Sequence, residues 1–502
     1  MVYLKSNPEQ TFLLPTDLRT IIAEDHICHL IEEIVDQLDF TKYDEAVDGA
    51  GHPSYHPRIN LKIILNGICD RVTSSRVLER QAHENVVYMQ LAENMHPDFH
   101  TIARFRKENV GLIKQCFLQT IEVAKALEMT NFNKLYLDGM KIKANASKNK
   151  NFSKEEIKFL AEFVETHLSK MDEADEEVDE EPKIPEHLTH RRKLKDRIKE
   201  ILKNPVGCAG KLDKAKKKIN EEGVDKVNFT DGDSKLMKMK QGRSFAQAYN
   251  CQLLVEDKVG IIVGNHVSDC SSDMNESIPT LEKFKEEQGE SLEKKEVFED
   301  NGYLSSKNAE YFEDEGAVAY VPDKATTREL HGKEEVSRFH LDNFELDFEK
   351  NQVVCPEGCR MDFARRDVRG ENWGNIYRTK KCKNCAFRVE CAGDKKGHVY
   401  REARVNPLLR RIRLRMKTKE GREKYAKRFH KGEVAQAHIE HNLGYREFRC
   451  RGLKSCENEV NLFSIGYNLK KIWIEKRKRN GGFVVIWVFE LVVVWRGVLI
   501  EL

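Results

Sequence analysis

Two aspartates have settings that suggest chemistry. Asp138 in KLYLDGMKIKAN and Asp300 in EVFEDNGY each follow a short apolar run and precede a glycine-containing segment. Carboxylates brought together from two strand ends repel each other unless a proton or a cation lies between them, and oxygen donors of this kind suit Mg²⁺ or Mn²⁺. Taken singly, each also reads as a plain turn aspartate. A second constellation is sulfur: Cys355-Pro-Glu-Gly-Cys359, then Cys382-Lys-Asn-Cys385 and Cys391, a CxxxC and a CxxC separated by twenty-two residues. Paired turns of this sort favour tetrahedral Zn²⁺, with Cys355, Cys382, Cys385 and either Cys359 or Cys391 as ligands. Reduced structural thiols and a redox role are the competing readings.

These residues need a scaffold, and the chain supplies two textures. From Asp25 to about Leu127 apolar residues recur at helical spacing, as in Ile27, Leu30, Ile31, Ile34, Val35 and Leu38, so this part reads as all-helical. Within it Arg71-Val-Thr-Ser-Ser-Arg76 separates two helical runs, with Thr73, Ser74 and Ser75 available as caps. That is the pattern of a helix-turn-helix for DNA, and equally of a break in any helical bundle. A further helix is expected after Asp98 or Thr101, carrying Arg104, Arg106 and Lys107. Beyond Leu127 strand texture begins: Leu135–Leu137, a hairpin of Tyr249–Val255 and Gly260–Val267, then Glu296–Glu299 and Ala317–Val321. Helices are expected between them from Ser277 to Glu286 and from about Ser305. The alternation argues for a mixed α/β core. Between the first strand and the hairpin, residues 148–228 read as a polar, partly mobile helical insertion or linker.

Composition bounds the rest. With 502 residues, 33% charged and 40% hydrophobic, the chain is long enough for two or three domains and too apolar to be disordered throughout. Net charge is only +2, but it is unevenly distributed: Arg401–Arg428 holds twelve Lys/Arg against three Glu, and Asp172–Glu181 holds eight acids in ten positions. Such a basic block suits a polyanion such as nucleic acid, or a solvated helix face. Thirteen cysteines, an odd number, without an export signal in MVYLKSNPEQ argue against a disulfide framework and for a cytoplasmic, nucleoid-associated protein. The closing stretch GGFVVIWVFELVVVWRGVLIEL is almost continuously apolar. It reads as a membrane anchor, a buried or edge strand, or a tail foreign to the rest, the last being the reading adopted and membrane association the one disfavoured.

Four separated stretches carry a family resemblance: YLDGMKIKANASKNK, DSKLMKMKQGRSFAQAYNCQLLVE, FEDNGYLSS and GREKYAKRFHKGEVAQAHIEHNLGYREFRCRGLKSCENEVNLFSIGYNLKKI. Together they resemble transposases of bacterial insertion sequences that carry an Asp-Asp-Glu triad on a ribonuclease-H-like fold. GHPSYHPRINLKIILNG, SSRVLERQAHENVVYMQL and PDFHTIARFRK resemble the helical amino-terminal domain of those proteins. The resemblance spans roughly residues 10–475. It implies an α+β core of ribonuclease-H type over 128–475, interrupted by the helical insertion 148–228 and a Cys-rich insertion 350–395. A helical DNA-binding domain over 1–127 precedes this core and an atypical tail 476–502 follows it.

The resemblance also implies roles. Asp138, Asp300 and Glu433 match the catalytic, metal-binding triad; Tyr425 and Arg428 match a Tyr and an Arg ahead of the glutamate. With spacings of three and five, Tyr425, Arg428 and Glu433 fall around one broad helical face, so Arg428 is expected to hold phosphate while Glu433 faces the metals. Lys141 and Lys143 are expected beside the phosphodiester, and Arg71, Arg76 and Arg104 on DNA. The implied activity is cleavage of the ends of a mobile element and their joining to target DNA by Mg²⁺- or Mn²⁺-dependent phosphoryl transfer, with double-stranded DNA as partner and a homodimer on it. One departure favours the alternative, a degenerate transposase that only binds DNA: Glu440 stands where the family has a Lys.

Overall fold

The computed structural model describes residues 17–45, 55–173, 184–188, 191–239, 244–323, 326–327, 338–339, 343–347, 349–369, 372–392 and 403–480. Most of the acidic run, Pro182 and the apolar tail from 481 lie outside these residues. The chain forms two compact units, Met1–Glu128 with His441–Gly444 and Asn461–Leu502, and Met129–Glu440 with Tyr445–Val460.

The first unit is helical: α1 (Ile27–Asp36), α2 (Thr41–Asp44), α3 (Pro57–Cys69), α4 (Ser75–Glu84), α5 (Val86–Leu91), α6 (Phe99–Glu108) and α7 (Val110–Ala126). The periodic apolar residues of α1 are all buried, as their spacing requires. Helix α3 starts on Pro57, a residue pre-set for the first helical turn, and is buried from Ile59 to Cys69. Its one buried lysine, Lys62, reaches Asp36 at 2.6 Å.

The α3–α4 break is present. Arg71 adopts a left-handed φ of 64°, and the Val72 N–H donates to the Gly67 carbonyl at 2.6 Å. Ser74 takes the N-cap position without a side-chain cap bond. Asp98 caps α6, accepting the Thr101 N–H at 2.8 Å. The expected basic face of α6 is thinner than its sequence: Arg106 is buried and donates to the Thr73 carbonyl, so it braces the α3–α4 turn, whereas Arg104 and Lys107 are exposed.

The second unit is built on a six-stranded mixed sheet. Strand β1 (Lys134–Lys143) is followed by β2 (Asn151–Ser153), α8 (Lys154–Glu173), α9 (Arg191–Lys203), α10 (Pro205–Glu222), β3 (Lys226–Asn228) and β4 (Lys235–Lys238). Then come β5 (Phe245–Glu256), β6 (Ile262–Ser268), α11 (Ser277–Gln288), β7 (Glu296–Phe298), α12 (Ser306–Asp314) and β8 (Val318–Tyr320). The sheet runs β4-β5-β1-β7-β8, with β6 on β5. β5 pairs antiparallel with β1, β4 and β6, whereas β1–β7 and β7–β8 are parallel. The β5–β6 turn closes on Glu256, whose buried carboxylate accepts the N–H groups of Lys258, Val259 and Gly260.

The region 148–228 is a folded insertion rather than a linker. β2 pairs with β3, and α8–α10 enclose a core of their own that includes Phe152, Leu160, Leu194, Ile201 and Leu212. The Cys-rich region is likewise larger than expected. Strands β9 (Glu345–Asp347), β10 (Gln352–Val354), β11 (Arg360–Arg369), β12 (Asn372–Arg378) and β13 (Ala403–Val405), with helix α13 (Arg388–Ala392), form an antiparallel sheet over Phe344, Val353, Met361, Tyr377 and Val405. Helices α14 (Pro407–Lys417), α15 (Lys419–Ala437) and α16 (Leu453–Asn480) complete the chain.

The second half of α16 belongs to the helical unit, although its sequence reads as part of the catalytic region. Asn468 donates to Thr120 at 3.1 Å, Trp473 to the Asp25 carbonyl at 2.7 Å, and Lys476 pairs with Glu33 at 3.0 Å. Among the described residues no helix is long and apolar enough to cross a membrane.

Candidate active site

Asp138 does not end a strand. β1 continues through it to Lys143, and Asp138 pairs with Leu253 of β5 while Gly139 pairs with Gln252. On the other side β1 runs parallel to β7, with Tyr136 opposite Phe298. Carrying that register two residues further sets Asp300 level with Asp138, just where β7 gives way to a 3₁₀ turn at Asn301–Tyr303. Asp300 caps this turn, accepting the Gly302 N–H at 2.7 Å.

Helix α15 lies over the same face of the sheet. Gly432 packs on Asp138: a Cβ there would stand 3.5 Å from the Asp138 Cβ, an ordinary contact distance. One turn earlier Arg428 donates to Asp138 Oδ1 at 2.9 Å and stands 3.8 Å from Glu433 Oε1. Asp138 and Arg428 are 4% and 7% exposed, while the Glu433 side chain is 45% exposed. Burial works against the Arg428 charge, but Asp138, Tyr425, Asp300 and Glu433 outweigh it and hold the guanidinium above its ordinary range. Burial pushes the neighbouring Tyr425 phenol up to about 12, so it stays neutral. The structure thus gathers Asp138, Asp300, Tyr425, Arg428 and Glu433 around one buried cation supplied by the chain.

A polar cradle supports the site from the other face of β1. A Cβ on Gly139 would fall 2.7 Å from Gln252 Nε2, 2.8 Å from Asp273 Oδ1 and 3.0 Å from the Tyr303 hydroxyl. Asp273 accepts from Asn250 at 2.7 Å and Gln252 at 3.2 Å, and the Tyr303 hydroxyl donates to Gln252. Gly139 is therefore required by close approach within a strand and not by a turn. The sequence reading missed Asn250, Gln252, Asp273 and Tyr303. A signal existed, since Asn250 and Gln252, two residues apart in the largely apolar β5, must share a face.

Also unforeseen is Glu299, fully buried beside Asp300 and bonded by Ser277. Burial raises its carboxyl to about 8, against smaller opposing effects of Ser277 and Arg428.

Strand alternation turns Lys141 and Lys143 to the Gly139 side, opposite Asp138. The expectation that they flank a phosphodiester at Asp138 therefore does not follow from their placement. In the helical unit Arg71, Arg76 and Arg104 are all exposed, with Arg76 stacked over Phe99 at 4.9 Å. Glu440 lies in a π-helical turn, His438–Asn442, directly after α15.

The five clustered cysteines, Cys355, Cys359, Cys382, Cys385 and Cys391, line one cavity of about 30 Å³ together with Phe339, Phe344, Met361 and Arg388. None is in a disulfide. Among the described residues no three His, Cys, Asp or Glu side chains are spaced to ligate an ion as they stand, and this holds at both the acidic and the thiol cluster.

Two stretches match known families. Residues 354–473 match the transposase DDE domain, and residues 16–108 match the transposase domain DUF772. The first contains the cysteine turns, Tyr425, Arg428 and Glu433, while Asp138 and Asp300 precede it; the second contains the α3–α4 break. No curated protein matches the chain.

Proposed function

The two family matches mark this chain as an insertion-sequence transposase, a protein that acts on DNA, and from that premise we propose that it cuts the ends of its element and joins them to target DNA, using Asp138, Asp300 and Glu433 to hold Mg²⁺ or Mn²⁺. The observation that carries this reading is the parallel β1–β7 register, which sets Asp300 level with Asp138 while α15 presents Glu433 to the same face. The strand order, antiparallel on one side of β1 and parallel on the other, supports a ribonuclease-H-like core.

The donor set fits these ions. All three groups are carboxylates, hard oxygen donors, and they already share one cationic partner in Arg428. When bound, the metal pair supplies an activated water or 3′-hydroxyl and stabilises the leaving oxygen.

The chain's own residues do the remainder. Arg428 offsets the carboxylate charge while the site is empty of DNA. Once it yields Asp138, its planar fork can hold a phosphate bidentately. Tyr425, neutral beside it, can donate a hydrogen bond to the same phosphate. The exposed Arg71, Arg76 and Arg104 offer phosphate contacts in the helical unit, and pairing two element ends calls for two copies of the chain.

The test is strand cleavage of duplexes bearing the inverted repeats that flank the reading frame, with Mg²⁺ or Mn²⁺. Asp138→Asn should lower cleavage by about 10³-fold or more, the scale of losing several kcal/mol of charge stabilisation, while DNA binding persists. Undiminished cleavage by Asp138→Asn would sink the assignment. Binding without cleavage by the unmodified chain would favour the degenerate reading, which Glu440 supports.

A further inference from the structure

The thiol cluster lies apart from this chemistry, and its geometry is specific. In the first turn the Cys355 N–H donates to the Cys359 carbonyl at 2.9 Å, and the Gly358 N–H to the Cys355 carbonyl at 2.8 Å. Gly358 supplies the required φ of 75°. The Cys359 N–H donates to Cys355 Sγ at 3.3 Å, a bond that strengthens when the sulfur is a thiolate. In the second turn the Cys385 N–H donates to the Cys382 carbonyl at 3.3 Å, and the Arg388 N–H to the Cys385 carbonyl at 3.2 Å. Both turns face the same small cavity, whose wall includes the Arg388 side chain.

Cys359 distinguishes itself from Cys391. It closes the first turn on Cys355 through that N–H···Sγ bond, which sets both sulfurs of the CxxxC at the cavity that the CxxC pair also lines. Cys391 sits on the short helix α13 and packs on the apolar core of the small sheet, a contact that Cys355 shares.

We propose that Cys355, Cys359, Cys382 and Cys385 bind one Zn²⁺ as a tetrahedral tetrathiolate that closes the two turns on each other, and that Cys391 is a core residue. Binding draws in thiols that are gathered but not yet at ligating distance. Four S–H bonds release four protons to solvent, four Zn–S bonds form, and no electron changes hands. The centre carries a net charge of −2, and the cavity wall bears both Arg388 and Glu357, the latter paired with Arg338. The cavity of about 30 Å³ is the space that the ion and the contracted sulfurs would fill.

Metal analysis of the full-length chain, purified under reducing conditions, tests this. One zinc per chain is expected, unchanged in Asp138→Asn, which separates the site from the acidic cluster and from any failure of the catalytic reading. Cys391→Ser should retain the zinc. Cys359→Ser and Cys382→Ser should each lower affinity at least tenfold in competition with a chromophoric chelator. Cobalt substitution should give thiolate-to-cobalt charge-transfer bands in the parent and in Cys391→Ser, with weakened bands in Cys359→Ser. A chain free of zinc with all five thiols reactive would overturn the proposal. So would zinc lost from Cys391→Ser, or retained at full affinity by Cys359→Ser.

Discussion

The acidic cluster and the thiol cluster pose the same physical problem and solve it differently. Each gathers groups that repel once ionised. At Asp138 the chain brings its own cation, Arg428, at 2.9 Å, and fixes the acids by strand register and helix packing. At the cysteines two short turns, closed by backbone hydrogen bonds, converge on a small cavity. A site with a resident cation can fold before it meets a metal. On our proposal the thiol cluster folds in a form that a metal finishes.

That contrast can be broken most forcefully at Arg428. Removing one partner of a buried ion pair leaves the other charge uncompensated, so Arg428→Ala should destabilise the chain by about 3–5 kcal/mol. Added Mn²⁺ should recover part of that loss, and should raise the melting temperature of the variant more than that of the parent. Equal shifts in thermal unfolding would show that Arg428 is not the stand-in cation.

Gly139→Ala comes next. Its Cβ would meet three polar atoms within 3.0 Å, and overpacking of this kind costs roughly 1–3 kcal/mol. Cleavage should fall along with metal affinity, because the β1 backbone beside Asp138 must move. A variant with unchanged stability and calorimetric Mn²⁺ affinity would remove the cradle from the account.

The third effect belongs to Glu299 and shows itself in pH dependence. Its carboxyl titrates at about 8 when folded against an ordinary 4.5, so the folded state holds the extra proton between those values. Stability therefore falls as pH rises from about 4.5 to 8 on account of this group, and the penalty is complete above 8. Glu299→Gln should flatten that slope in melting curves recorded from pH 5 to 8.5. An unchanged slope would assign it to other groups.

Much of this was legible in the chain itself. The hairpin, the α11 and α12 helices, the β7 strand with Asp300 after it, and the periodic face of α1 all announce themselves through local pattern. Asp138 stands out in the sequence, but its setting was misread, because an acid followed by glycine looks like a turn when the strand beyond it is built from alternating lysines and apolar residues. Arg106 reads as one more exposed cation until the Thr73 carbonyl is seen beside it. Asp273 and Tyr303 act through partners far off in sequence, Asn250 and Gln252, and no local pattern encodes that meeting. The region 148–228 leaves insertion and linker both open in the sequence because its apolar residues are sparse, yet three helices suffice to bury them.

The order in which the acids occur has a consequence for the cell's own chromosome. Asp138 and Glu433 are 295 positions apart, and α15, which carries Glu433, follows every strand of the mixed sheet. At roughly 5–20 residues per second, a ribosome spends on the order of 15–60 s between adding the first acid and the last. By the end of that interval every strand of the mixed sheet has been made, and Glu433 is still missing. On the proposed triad, a translation product that stops before α15 lacks the last of the three acids, which then acts as a safety catch on the other two.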